Sequence, residues 1–247
     1  MSRLRGFAGS TVSELWQLSW PLALQALSFS MLAMLDRLMV GQLSETAIAA
    51  VGVGGQILFF AQTLAGAVAS AAAILAAQLR GAKNAGGIVA LSGSSLVLMG
   101  LIGAAGAALM MFAAEPVCLW LTDGNRAIAE AGAGFLRVIA WTFPFVLVMF
   151  AVTGVMRALG DTRTPVVTSV AAVLVNTLLN AVLINGYAGL PKLGITGAAI
   201  ATAAAHVVGA WLAMRAYRRM TFEGRRFVPG DILEARTEMA ARLIRLA

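Results

Sequence analysis

The 247-residue sequence predicts an all-α integral membrane protein built as a bundle of six transmembrane helices. Three observations carry this. Hydrophobic residues make up 60% of the chain and charged residues 12%, too little polar surface for a water-soluble domain of this size. Apolar stretches of about 20 residues or more, the length that crosses a hydrocarbon core, recur from end to end. The connectors between them, "GQLSET", "RGAKNAG", "LTDGNR", "LGDTRTP" and "NGYAGLPKLG", carry turn-forming residues.

The first span, 15–40, follows Arg3 and Arg5. No short apolar core with a small-residue cleavage site comes after these arginines, so the segment is read as a retained helix and not a cleaved leader. Pro21 lies inside it and removes a backbone hydrogen bond, which predicts a bend in its cytoplasmic third. The second span, 47–78, is longer than a bilayer needs and is expected to tilt or project. The third covers 87–112. The fourth, 128–155, contains Pro144 in "WTFPF" and is expected to kink there. The fifth, 165–186, opens on Pro165, and proline is an ordinary start signal in a first helical turn. The sixth covers 194–215. Small residues crowd these helices, as in "GLIGAAGAALM" and "TGAAIATAAAHVVGA". They let backbones approach closely in lipid and predict a compact bundle.

The formal net charge of +7 suggests a nucleic-acid partner only until the basic residues are placed. Arg3, Arg5, Arg80, Lys83, Arg157, Arg163, Arg215, Arg218, Arg219, Arg225 and Arg226 fall on one side of the spans. The other side has only Arg37, Arg126, Arg137 and Lys192 in or near it. By the positive-inside rule both termini are cytoplasmic, and the basicity reflects topology in a cytoplasmic (inner) membrane. After Arg226 the chain turns at Pro-Gly-Asp and continues as a basic amphipathic segment with Ile232, Met239, Leu243 and Leu246 among charges. Such a segment suits an anionic inner leaflet. The organisation read here is a six-helix unit over 1–220 and a connector over 221–247. The ending "ARLIRLA" resembles "SELWQLS" at 13–19, which suggests a chain that stops where a second half would begin.

Against this apolar background the intramembrane polar groups stand out. At 1.5 Å per residue, Asp36 lies about 7 Å inside the outer end of its helix, Asn180 about 9 Å, Thr202 about 12 Å, Gln56 about 14 Å and Asn176 about 15 Å. They gather in the outer half of the bundle. Asn176 and Asn180 share a helix face by their spacing of four, as do Thr202 and His206. A charged aspartate at a helix centre costs roughly 2.5–3.5 kcal/mol on insertion scales. A carboxylate retained there among amide and hydroxyl groups fits a proton or Na⁺ site. The structural alternatives stand beside this. Asp36 and its neighbour Arg37 could snorkel together to the interface, although adjacent helical residues point about 100° apart. Asn176, Asn180 and Thr202 could be interhelical glue. His206 reads as a packing or hydrogen-bonding residue. Gln25, Gln56 and Arg137 are candidate cavity-lining groups, and the sequence does not name a partner for Arg137.

A lone Cys118 allows no intrachain disulfide or metal cluster. There is no phosphate-binding Gly-rich loop with a Lys-Ser/Thr pair, no HExxH and no acidic pair in a loop. An enzymatic or ATP-driven function and a bound cofactor are therefore not expected.

The stretches "PLALQALSFSMLAMLDRLMVGQLSETAIAAVGV", "MRALGDTRTPVVTS", "LVNTLLNAVLING" and "LGITGAAIATAAAH", taken together and in order, resemble the multidrug and toxin extrusion (MATE) antiporter family over roughly residues 12–220. The resemblance implies one lobe of a twelve-helix fold, with the substrate path between two lobes. It also implies export of organic, often cationic compounds in exchange for H⁺ or Na⁺. Carried over by position, Asp36 matches the family's helix-one carboxylate linked to cation binding, and Pro21 the proline associated with bending. Asn176 and Asn180 match the polar helix-five pair, and Thr202 a helix-six polar position. Some members have an acidic residue where Asn180 stands, so the resemblance favours a proton over Na⁺ here. Arg37 departs from the threonine often found after the aspartate. Only the N-terminal lobe is resembled, which implies either a truncated product or a half-length form that pairs with a second copy or a separate chain. The alternatives carried forward are a flippase for lipid-linked precursors and a non-transporting remnant or interaction subunit.

Overall fold

The computed structural model describes residues 16, 19–20, 23–24, 26–28, 30–31, 34–186, 189, 191–226 and 237–246. Pro21, Gln25 and Ile232, and with them the expected bend of the first helix, lie outside the described residues. The described part of the first helix is continuous over 34–41 and is called α1. The following helices are α2 (Glu45–Gly81), α3 (Ala85–Phe112), α4 (Ala114–Leu121), α5 (Arg126–Ala140), α6 (Phe143–Ala158), α7 (Arg163–Asn185), α8 (Gly194–Tyr217) and α9 (Thr237–Leu246). Among the described residues, α2, α3, α7 and α8 are each long and apolar enough to cross a membrane. The pair α5 and α6 makes a fifth, broken span with a 56° bend. The chain is a multi-pass membrane protein.

The connectors fold as their residues dictate. Ser44 caps α2 by accepting the Ala47 N–H at 3.1 Å. Asn84 caps α3 through Gly87 at 2.8 Å, and Asn125 caps α5 through Ile128 at 3.3 Å. Each cap satisfies a backbone donor that a helix start leaves orphaned. Between α6 and α7 the Gly160 N–H donates to Arg157 and the Asp161 N–H to Met156, both at 3.0 Å. This is the double closure of a helix ending on a left-handed residue, and Gly160 has φ +97°. Asp161 then accepts the Thr164 N–H at 3.0 Å and starts the next helix.

One expected span is followed by a further short helix and another is divided. The third continues past Phe112 after a bend at Ala113, and α4 extends it by eight residues. The expected kink near Pro144 is a complete break: the helix stops at Ala140, and Pro144 sits in the first turn of α6, where its missing N–H costs nothing.

Packing is close where the small residues stand. A Cβ on Gly103 would lie 2.5 Å from the Pro144 Cα, and one on Gly197 would lie 2.8 Å from the Leu183 carbonyl oxygen. These contacts seat α3 on α6 and α8 on α7, the two most extensive pairings in the bundle. Beyond α8 the chain makes a two-stranded hairpin, Thr221–Phe222 with Arg225–Arg226. The amphipathic tail also differs from the expectation of a helix lying only on lipid. Leu243 is fully buried and Met239 packs on the core, so the apolar edge of α9 docks on α2 and α3. Ile244 and Leu246 stay exposed.

Candidate functional site

Four of the polar residues singled out by depth converge. Asp36 on α1, Asn176 and Asn180 on α7 and Thr202 on α8 are all buried. Their spacing explains the convergence: the i,i+4 asparagines form one edge of α7 facing α8, and α1 brings the carboxylate against both. Asn180 Nδ2 donates to Asp36 Oδ1 and to Asn176 Oδ1 at 2.9 Å. Asn176 Nδ2 donates to Thr202 Oγ1 at 3.2 Å. The Thr202 hydroxyl lies 3.4 Å from Asp36 Oδ2 and 3.0 Å from the Ala198 carbonyl. Arg37 is exposed and lines the cavity that Asp36 borders, and no ion pair joins the two among the described residues.

The Asn176 amide also fits turned over, with its nitrogen donating to Asp36 Oδ1 at 2.9 Å and its oxygen accepting from Thr202 Oγ1 at 3.2 Å. The Asn180 oxygen is buried without a partner.

The cluster borders a cavity of about 760 Å³. Ser30, Asp36, Arg37, Gln56, Gln62, Thr63, Thr202 and His206 supply its polar groups, and Leu58, Phe59, Phe135, Met149 and Phe150 much of its apolar wall. An apolar cavity of this size with a few convergent polar groups has the character of a small-molecule site. Arg137 is not among its lining residues. It is half-exposed and pairs with Glu115 on α4 at 2.9 Å, the partner that the sequence did not reveal because α4 was read as a connector. The restart signal was there: Glu115 and Pro116 follow the end of α3 as first-turn residues.

One residue gains a role in the site that sequence reasoning did not give it. His206 is one turn along α8 from Thr202, is buried, lines the cavity and contacts Thr142 at the α5–α6 break.

Comparison with known proteins places these features. The MatE family model matches residues 21–182, which includes Asp36, Asn176 and Asn180. The chain is 31% identical to the probable multidrug resistance protein YoeA of Bacillus subtilis over 81% of this chain and 43% of that protein. It is 32% identical to the probable multidrug resistance protein NorM of Pseudomonas putida over 78% of this chain and 41% of that protein. It thus spans less than half the length of these curated relatives. A solved structure described as the outward-facing conformation of a multidrug resistance MATE family transporter superposes with a TM-score of 0.81 at 21% identity. The match covers 94% of this chain and 50% of that one.

Proposed function

The chain belongs to the MatE family, and on that premise we propose that it acts as the carboxylate-bearing six-helix lobe of a secondary active exporter, which moves organic, often cationic compounds against a flow of protons. The observation that carries this reading is the buried Asp36, joined to two asparagines and a threonine and opening onto a cavity walled by aromatic and aliphatic side chains.

Charged, Asp36 accepts from Asn180 and Thr202 and offers negative charge to a cationic cargo at the cavity wall. Protonated, it loses its charge, and the attraction for the cation is lost. Proton and organic cation then compete for one carboxylate, which is the requirement for exchange. The residues favour a proton over Na⁺ as the coupling ion. A single carboxylate with amide donors aimed at its oxygens supplies few ligands for a cation that takes several oxygens. The excess of basic residues on one side of the spans supports a cytoplasmic position for both termini. Alternating access would use a second lobe across the substrate path.

The test is efflux of a cationic dye from cells producing the protein, alone or together with a second six-helix lobe, comparing wild type with Asp36→Asn. The expected result is efflux driven by the proton gradient in the wild type and its loss in the variant. Equal gradient-dependent efflux by both removes Asp36 from the mechanism. No efflux by the wild type in either setting overturns the transport reading.

A further inference from the structure

The histidine beside the candidate site has a donor and acceptor pattern fixed by its neighbours. The Thr142 hydroxyl donates to the Ile139 carbonyl at 3.0 Å, which commits its one hydrogen. Its contact with His206 Nδ1 at 3.3 Å is then a bond in which the imidazole donates, because a hydroxyl with its proton spent can only accept. Thr142 occupies this position because the helix breaks there: as the residue before α6 it has no following turn to join, and its side chain folds back on the last turn of α5. A neutral imidazole that carries its proton on Nδ1 has a bare Nε2. No side chain or backbone donor among the described residues reaches that nitrogen. The ring is only 8% exposed, and that exposure is to the cavity it lines with Phe135, Met149 and Phe150.

We propose that His206 Nε2 is the specificity-determining acceptor of the cavity and selects cargo carrying an N–H donor on an aromatic cation, a protonated amine in preference to a quaternary ammonium. This rests on the reading of the cavity as a small-molecule site. The aromatic wall serves both ion types, and the Asp36 carboxylate attracts both by charge while also accepting from the N–H ion. Only the N–H ion also satisfies Nε2, a buried acceptor that is otherwise left unpaired by the bound ligand. Hydrogen bonds that involve a charged group favour the matched partner by about tenfold in affinity.

The test compares (1-naphthylmethyl)methylammonium with (1-naphthylmethyl)trimethylammonium, which share charge and ring and differ in N–H. Binding is measured to the full chain in lipid nanodiscs. Wild type is expected to prefer the secondary ammonium by more than about tenfold, and in His206→Phe that ratio falls about tenfold, to the share contributed by Asp36. In His206→Gln the side-chain oxygen stands near the place of Nε2, and the preference returns. His206 is the sole histidine of the sequence, so histidine-selective ¹⁵N labelling gives one imidazole spin system. Its nitrogen shifts are expected to report a protonated Nδ1 in the free protein and a change at Nε2 on binding the secondary ammonium. An unchanged ratio in His206→Phe, or a proton on Nε2 in the free protein, overturns the assignment of His206 and leaves the transport reading standing. Failure of the wild type to bind either probe overturns the small-molecule reading of the cavity and this inference with it.

Discussion

The interfaces that join α1, α7 and α8 differ from those within the α2, α3, α5 and α6 block in what holds them. Within the block, contacts are made through missing side chains. Gly103 lies against the backbone of Pro144, Gly132 against the Ala50 carbonyl and Gly154 against the Ala69 carbonyl. The buried hydroxyls there bond back to their own helices: Ser92 to Ile88, Ser95 to Leu91 and Thr153 to Met149, each at 2.8 Å. No polar group in these bonds crosses an interface. On the other side, α1, α7 and α8 meet through Asp36, Asn176, Asn180 and Thr202, whose bonds do cross. Besides α8, α7 touches α6 only lightly. Close-packed backbones have one arrangement, whereas a hydrogen-bonded seam around an ionisable group has one for each protonation state. On the proposed reading, this seam is the part of the lobe that responds to a proton.

The comparison breaks most visibly at the rigid side. In Gly103→Ala the new methyl meets the Pro144 Cα at 2.5 Å, a backbone atom that cannot swing away. Overpacking of this kind costs about 3 kcal/mol, and the expected result is a clear fall in thermal stability in detergent. A melting temperature equal to that of wild type would show that α3 and α6 yield easily, and the contrast drawn between the two regions would go with it.

A smaller effect sharpens the contrast because the same substitution is made on both sides. Thr202→Val keeps the shape but removes the hydroxyl that accepts from Asn176 and faces Asp36, leaving buried polar groups short of a partner at a cost of about 1–2 kcal/mol. Thr153→Val, equally buried, removes a hydroxyl that serves only a carbonyl of its own helix, and the expected change is below about 0.5 kcal/mol. Matched unfolding measurements on the two variants check this. Equal losses would mean that the hydroxyl of Thr202 does not bridge.

Much of this contrast is visible in the one-dimensional pattern. The depth of Asp36, Asn180 and Thr202 follows from counting residues along spans of alternating direction, which sets the three nearly level; that they touch is seen only in the structure. The caps at Ser44, Asn84 and Asn125 also follow from their place in the connectors. The break at 141–142 was harder to read, because a proline in an apolar run is compatible with a kink or a full restart. The tertiary contact of Phe143 and Pro144 with Gly106 and Gly103 favours the restart. The Arg137–Glu115 pair was hidden for a related reason: it depends on a short helix after Phe112 that hydropathy alone reads as a loop. The orientation of His206 was hidden most deeply, since it follows from a hydroxyl 64 residues away at a break whose form the sequence leaves open.

The smallest expected effect tests whether the two regions are independent. On the side of the bundle where the α2–α3 and α6–α7 connectors lie together, Arg80 donates from Nη1 to the Ala158 carbonyl at 3.2 Å, and Gly160 sits beneath its guanidinium, where a Cβ would come within 3.2 Å of Nη1. The bond is exposed, so water replaces it readily, and Arg80→Ala should cost about 0.5 kcal/mol. Hydrogen exchange should rise about two- to threefold at the amides of Gly160 and Asp161, which close the end of α6. The amides of α7 and α8 around Asn176, Asn180 and Thr202 should not change, because nothing in the Arg80 contact reaches them except through the packed block. A matching rise around Asn180 and Thr202 would show that the latch and the seam move as one, and that the block between them transmits strain and does not isolate it.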